Sequence, residues 1–219
     1  MKSGRNGEKK SGAIPRDIIL FFSYALASNI AFGAFSLLYN LYLIQLGYQE
    51  DWIGVVNAVS TASLAVSAVV LGRLLRRYGS WACLTYGTAL YLLTSLAVTF
   101  AETRFSILAT VTLQGIATTF LFVPLMPFVL DHAPPRRRDT VAAVALSLTS
   151  VSATLGNLVA GWIPYTLHRL FGLATPSIPA YRTALLVSIL LCALALPPMF
   201  AMQQAKTRPL PPTDQRERD

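Results

Sequence analysis

Six long stretches of this chain contain no Asp, Glu, Lys or Arg. They cover residues 18–46, 52–72, 81–101, 105–130, 141–167 and 183–203. A water-soluble domain would show polar faces recurring at helical or strand spacing, so this lack of charge excludes one. Each stretch is near or above the ~20 residues that a helix needs to cross a hydrocarbon core of ~30 Å. Cysteine and histidine are scarce too. Cys83 and Cys192, the only two cysteines, lie inside predicted spans, so no disulfide is expected, and two thiols cannot build a zinc site. His132 and His168 fall in predicted loops, which leaves the spans without a titratable group for a proton relay. Neither a Gly-x-Ser-x-Gly elbow nor a His-Glu-x-x-His zinc motif is present, and no metal or cofactor is expected.

The charges that are present fall mostly on one side. The tail before the first span carries Lys2, Arg5, Lys9, Lys10 and Arg16. The second-to-third gap carries Arg73, Arg76 and Arg77, and the fourth-to-fifth gap Arg136, Arg137 and Arg138. Lys206, Arg208, Arg216 and Arg218 follow the last span. The alternate gaps hold only Arg104, Arg169 and Arg182. Basic residues in short loops stay cytoplasmic. The sequence therefore predicts an all-α, polytopic membrane protein with six transmembrane helices and both termini cytoplasmic, and an even number of spans requires the ends to share a side. The net charge of +8 is then a topological bias that also attracts anionic lipid heads, not a nucleic-acid footprint. The predicted organisation is a basic tail (1–17), a six-helix bundle (18–203) and a polar, Pro-rich tail or start of a linker (204–219).

Local signals agree. The first apolar run is too long for a signal-peptide core and is expected to stay as the first helix. Trp52, Trp81, Trp162, Tyr165 and Tyr181 lie near predicted interfaces. Asp51 is placed to cap the second span. Pro197-Pro198 interrupts the sixth.

The second-to-third gap reads Gly72-Arg73-Leu74-Leu75-Arg76-Arg77-Tyr78-Gly79, a short turn. Gly72 would let a helix approach its neighbour, and Gly79 can redirect the chain at positive φ. Here the chain resembles the major facilitator superfamily of secondary transporters. That family carries Gly-x-Leu-x-Asp-Arg-x-Gly in this gap, and Gly72, Leu74, Arg77 and Gly79 match it. Arg76 stands where the family has Asp, in a charge network that locks one conformation, so that lock is absent or rewired. Leu113-Gln114-Gly115 resembles a Gln-Gly pattern of the fourth helix, with Val111 where the family's drug/proton exchangers place Arg. The stretch from Pro127-Phe128 to Pro134-Pro135-Arg136-Arg137-Arg138, then Gly156, Gly161 and Pro164, resembles the fourth loop and fifth helix. The resemblance implies the N-terminal six-helix half of a twelve-helix fold. Its two halves are related by an axis along the membrane normal. The second half would come from a homodimer partner, a separate chain or a C-terminal half beyond this sequence.

Uncharged polar residues supply the remaining candidates. Asn29, Gly33, Ser36 and Asn40 form a stripe on the first span. Ser147, Ser150, Thr154, Asn157 and Gly161 form one on the fifth, and Thr110, Gln114 and Thr118 one on the fourth. Asn57, Thr61, Leu64, Ser67 and Ala68 follow one another on the second. Such residues either pack helices or line a cavity. The resemblance points the first and fourth helices at a central cavity, which makes Asn29, Phe32, Gly33, Ser36, Asn40, Gln114 and Thr118 the expected substrate contacts. Gly156, Asn157, Ala160, Gly161 and Pro164 are the expected packing positions. Phe32, Phe120 and Phe122 either stack on an organic solute or face lipid, and Pro124, Pro127 and Pro164 are candidate bending points.

The implied function is transport of a small solute by alternating access, in a plasma membrane or bacterial inner membrane. A non-transporting membrane partner, or a truncated transporter remnant, is the alternative. An intramembrane enzyme is the weakest of the three.

Overall fold

A computed structural model describes residues 16–133, 138–171 and 177–197. Among these, every regular element is an α-helix: α1 (Arg16–Gln45), α2 (Glu50–Thr99), α3 (Arg104–Phe122), α4 (Leu125–His132), α5 (Arg138–Phe171) and α6 (Ile178–Ala193). Helix is the expected state for apolar sequence in lipid, because only helices and closed barrels satisfy every backbone group internally. Four described stretches are long and apolar enough to cross a membrane: Ile19–Gln45, Glu50–Thr99, Arg104–Leu130 and Arg138–Thr166. The helix of the sixth predicted span is shorter, and it starts at Ile178, which brings Arg182 inside it. Residues 198–203 of that span and both predicted tails, apart from Arg16 and Asp17, lie outside the described residues.

The 50 residues of α2 would extend about 75 Å if straight, more than twice a hydrocarbon core. The helix is broken at one residue, Gly79, with φ 81° and ψ 162°. Neighbouring contacts give the direction of its two arms. Along α3, Gly115 meets Ser60 and Thr119 bonds to Ser67 of the first arm, so the numbers rise together. On the second arm, Gln114 bonds to Ser95 and Phe120 packs on Gly87, so the numbers run oppositely. The arms are therefore antiparallel, and the chain reverses at Gly79.

The turn expected over 72–79 is thus helical up to Tyr78. Gly72 does not sit at a close helix contact, since nothing lies within 4 Å of where a Cβ would be. Asp51 is not the cap of the second span either. The N-cap is Gln49, and Asp51 sits in the first turn, accepting a bond from the Trp52 N–H at 2.7 Å. Pro124 breaks the apolar run of the fourth span into α3 and α4.

Helix α1 takes part in all three apolar clusters of the bundle. It packs along α5 in parallel fashion, with Phe21 to Ala25 near Ala145 and Leu38 to Leu43 near Ala160 and Ile163, and the two helices cross where Gly33 meets the Ala153 carbonyl and Gly156 the Ile30 carbonyl. A Cβ at either glycine would collide with backbone, so both positions demand glycine for close approach. Three apolar clusters follow one another along α1. Phe21, Tyr24 and Ala25 meet Leu125, Phe128 and Val129 at one end. Ala31 meets Tyr91, Ala117, Leu121 and Cys192 in the middle. Ala34 to Leu43 meet Ile53, Val98, Ile107 and Leu185 at the other end. A polar pair ties α1 to the second arm of α2, the Tyr24 and Thr88 hydroxyls being 2.7 Å apart.

Candidate functional site

Between α1, both arms of α2 and α3 lies an open-sided cavity of about 210 Å³. Helix α1 contributes Phe32, Phe35, Ser36 and Tyr39. The first arm of α2 contributes Val56, Asn57, Ser60, Thr61 and Leu64, and the second arm Tyr91. Helix α3 completes it with Val111, Gln114 and Thr118. The geometry follows from packing already described. Gly115 seats α3 against Ser60, which turns its neighbour Gln114 toward the second arm.

The polar groups here are uncharged and partly committed. The Gln114 amide donates to the Ser95 hydroxyl at 3.1 Å, leaving its carbonyl oxygen with no donor among the described residues. Asn57 donates to the Asn40 side-chain oxygen at 3.3 Å. The Thr61 and Thr118 hydroxyls donate to the carbonyls of Asn57 and Gln114 one turn back, so their lone pairs remain as acceptors. Aromatic rings form the inner wall. Phe35 stacks on Tyr39 at 6.0 Å, Phe32 tilts on Tyr91 at 6.1 Å, and Phe122 meets Phe32 edge-on at 5.1 Å. This arrangement can bind a solute through rings and neutral hydrogen bonds. Among the described residues, no group of His, Cys, Asp and Glu could hold a metal ion.

The expected substrate contacts separate. Phe32, Ser36, Gln114 and Thr118 are brought together. Asn29 is buried away from the cavity, with its amide donating to the Ala25 carbonyl at 2.7 Å. Gly33 faces α5 instead. The stripe on α1 divides because three residues along a helix turn the direction by about 60° short of a full circle, enough to point Gly33 and Ser36 at different neighbours. Asn40 reaches the cavity only through Asn57. Thr110 lies off the cavity, its hydroxyl bonded to the Ser106 carbonyl at 2.7 Å. Of the three phenylalanines, Phe122 stands behind Phe32, and Phe120 borders a separate apolar groove with Val66, Val70 and Ile116.

The expected packing positions separate as well. Gly156, Ala160 and Pro164 are buried. Asn157 and Gly161 are exposed, with nothing within 4 Å of a Cβ at Gly161. They continue an outward stripe with Ser147, Ser150 and Thr154, all exposed. In the loop motif, Leu74 is half-buried while Arg73, Arg76 and Arg77 are exposed.

Sequence reasoning treated Arg182 only as a topological charge. In the structure it forms an ion pair with Glu102 and donates to the Tyr42 hydroxyl at 3.0 Å. Its guanidinium also lies 5.5 Å from the Phe100 ring centre. The Tyr48 hydroxyl donates to the Glu102 backbone carbonyl at 2.7 Å. This end of the bundle therefore joins α1, the α2–α3 connection and α6. The signal available beforehand was a lone Glu and a lone Arg, each beside a predicted span in gaps with few charges. Tyr39 and Tyr91 were also missed as cavity residues, because tyrosine in a span reads equally well as core.

The Major Facilitator Superfamily model matches residues 15–218. An uncharacterized membrane protein of Saccharomyces cerevisiae is 23% identical over 178 residues, which are 78% of this chain and 39% of that protein. The fold is similar to an auto-inhibited POT family peptide transporter, with TM-score 0.66 and 18% identity over 91% of this chain and 40% of the transporter. It is also similar to a mutant peptide transporter POT in complex with sulfate, with TM-score 0.63 and 14% identity over 87% of this chain and 38% of that one. The chain thus spans about two-fifths of the length of each of these proteins.

Proposed function

We propose, for a chain that belongs to the Major Facilitator Superfamily, that it forms the N-terminal half of a secondary transporter carrying a small solute by alternating access. The observation that carries this reading is the cavity. It is walled by rings and neutral polar groups on α1, α2 and α3, and it is open on one side. A membrane protein does not leave such groups facing lipid, where each unpaired one costs several kcal/mol. A second six-helix half would close it, supplied by a second copy, a separate chain or another part of one polypeptide. The exposed Ser147, Ser150, Thr154 and Asn157 on α5 make a second polar surface that such a half would cover. Transport then consists of the two halves rocking about the shared site.

In this reading the two arms of α2 are separate spans and α3 with α4 is one, which gives six. The basic ends lie in the cytoplasm, set by the Lys and Arg bias. Phe32, Ser36, Asn57, Gln114 and Thr118 contact the solute. The two solved neighbours are peptide transporters, but at 18% and 14% identity their likeness extends to the fold and not to the cargo.

The test is solute uptake into proteoliposomes holding the full chain with its second half, beside native mass spectrometry of the same sample. Gln114→Leu is expected to lower uptake about tenfold or more while the protein still inserts and assembles, because it removes the free acceptor oxygen. Wild-type uptake by this variant would remove Gln114 from the site. A chain that stays monomeric, with no saturable uptake, would instead favour the non-transporting partner.

A further inference from the structure

We propose that the solute is an uncharged, polyhydroxylated ring. This rests on the transport reading above and narrows it.

None of the residues lining the cavity is Asp, Glu, Lys, Arg or His. A charged solute entering it would leave water without an opposite charge on this wall, at a cost of several kcal/mol. A zwitterion would need both of its charges matched from the facing half. The groups that are present suit a neutral partner. The Gln114 oxygen and the lone pairs of Thr61 and Thr118 accept hydrogen bonds, so they call for donors such as hydroxyls. The rings of Phe32, Phe35 and Tyr91 offer flat apolar faces against which the C–H face of a ring can lie. A site with few polar groups set in an apolar wall fixes orientation by those groups.

A second observation points the same way. Tyr39 lines the cavity and is 6% exposed, yet its hydroxyl is closed off from solvent and bonded to nothing among the described residues. The Tyr91 hydroxyl is equally buried, near Ser95 but outside hydrogen-bond geometry. A buried hydroxyl without a partner is costly. Two of them beside one neutral cavity are explained if a solute oxygen accepts from them in the loaded state, after a change at χ1 swings the hydroxyl toward the cavity.

The experiment uses the full chain with its second half, in proteoliposomes. Solutes are tested in pairs that differ by charge: D-glucose with D-glucuronate, D-ribose with ribose 5-phosphate, and uridine with uridine monophosphate. The expected result is saturable uptake of at least one neutral member, with an affinity about tenfold or more above its charged counterpart. Tyr39→Phe keeps the ring and removes the unpaired hydroxyl. It should weaken that neutral solute about fivefold or more while the melting temperature holds or rises. Asn57→Leu, at an exposed cavity position, should weaken it too and serves as the second variant. Preference for the charged members, or unchanged affinity in both variants, would overturn the neutral class while leaving transport intact. No saturable uptake of any solute would overturn the transport reading and this inference with it.

Discussion

The two ends of the bundle carry charge in opposite ways. At one end Arg182, one of three arginines there, is bound into Glu102 and Tyr42 and touches the Phe100 ring. At the other, three arginines crowd the last turns of the first α2 arm. All three are exposed, with no ion pair among the described residues, and Arg77 meets only the ring of its neighbour Tyr78, at 5.4 Å. The end with more net charge has no ion pair among the described residues. That end is closed by one backbone position, Gly79, and its arginines are positioned to fix the chain at a membrane surface. The end with less net charge is closed by side chains that join α1, the α2–α3 connection and α6. Net charge in a membrane protein is thus a poor guide to where charge stabilises.

The contrast breaks most sharply at Gly79. Its φ of 81° and ψ of 162° lie in a region essentially confined to glycine. Gly79→Ala should cost about 2–3 kcal/mol, seen as a lower melting temperature in detergent. Gly72→Ala is the control. Gly72 lies within the same helical arm with open space at its Cβ, so the added methyl should be neutral or raise stability slightly. Equal losses at the two glycines would mean that the reversal does not depend on the backbone at residue 79.

At the opposite end, Arg182→Ala should cost about 1–2 kcal/mol. The gain from the Glu102 pair is small, because Glu102 is 60% exposed and the pair is screened by solvent. Most of the loss comes from the Tyr42 hydroxyl, which is buried and would lose the guanidinium that donates to it. Glu102→Gln keeps the Tyr42 bond and should cost less than half as much. Melting curves of both variants at low and high salt separate the two contributions. A loss for Glu102→Gln as large as for Arg182→Ala would make the ion pair, not the hydroxyl, the closing element.

How much of this was legible beforehand divides along a physical line. The membrane class and the family follow from charge-free runs and short motifs, which need no knowledge of neighbours. Gly79 was legible for the same reason, since a redirecting glycine is a property of its own backbone. Which way a side chain faces was not. On α1, Asn29, Gly33 and Ser36 belong to one stripe, yet α1 meets different neighbours on different sides, and the stripe falls partly on α5 and partly on the cavity. On α5, Gly156 and Gly161 read alike in sequence, but one is pressed on the Ile30 backbone and the other meets nothing. In lipid, polar and small residues carry no inward label, because packing, cavity and partner surfaces all use them. The Arg182 cluster was hidden because it joins residues 42, 102 and 182, and no local pattern links them.

The smallest expected effect sits where the sequence departs most from its family. Arg76 occupies the position at which the superfamily's loop motif has Asp, and its side chain projects from the helix without an ion pair among the described residues. If its role is topological, then removing the charge should leave folding untouched, since surface changes away from caps and networks are close to neutral. Arg76→Gln is expected to give no measurable shift in the melting temperature of the isolated chain. The same substitution should lower the proportion of chains inserted with both ends on the cytoplasmic side only when Arg73 and Arg77 are replaced too, because the bias is set by the cluster. Cysteine-accessibility labelling of the two termini in intact cells reads that proportion. A destabilised Arg76→Gln chain would show that this arginine has acquired a partner within the fold, and the two ends would then differ in degree and not in kind.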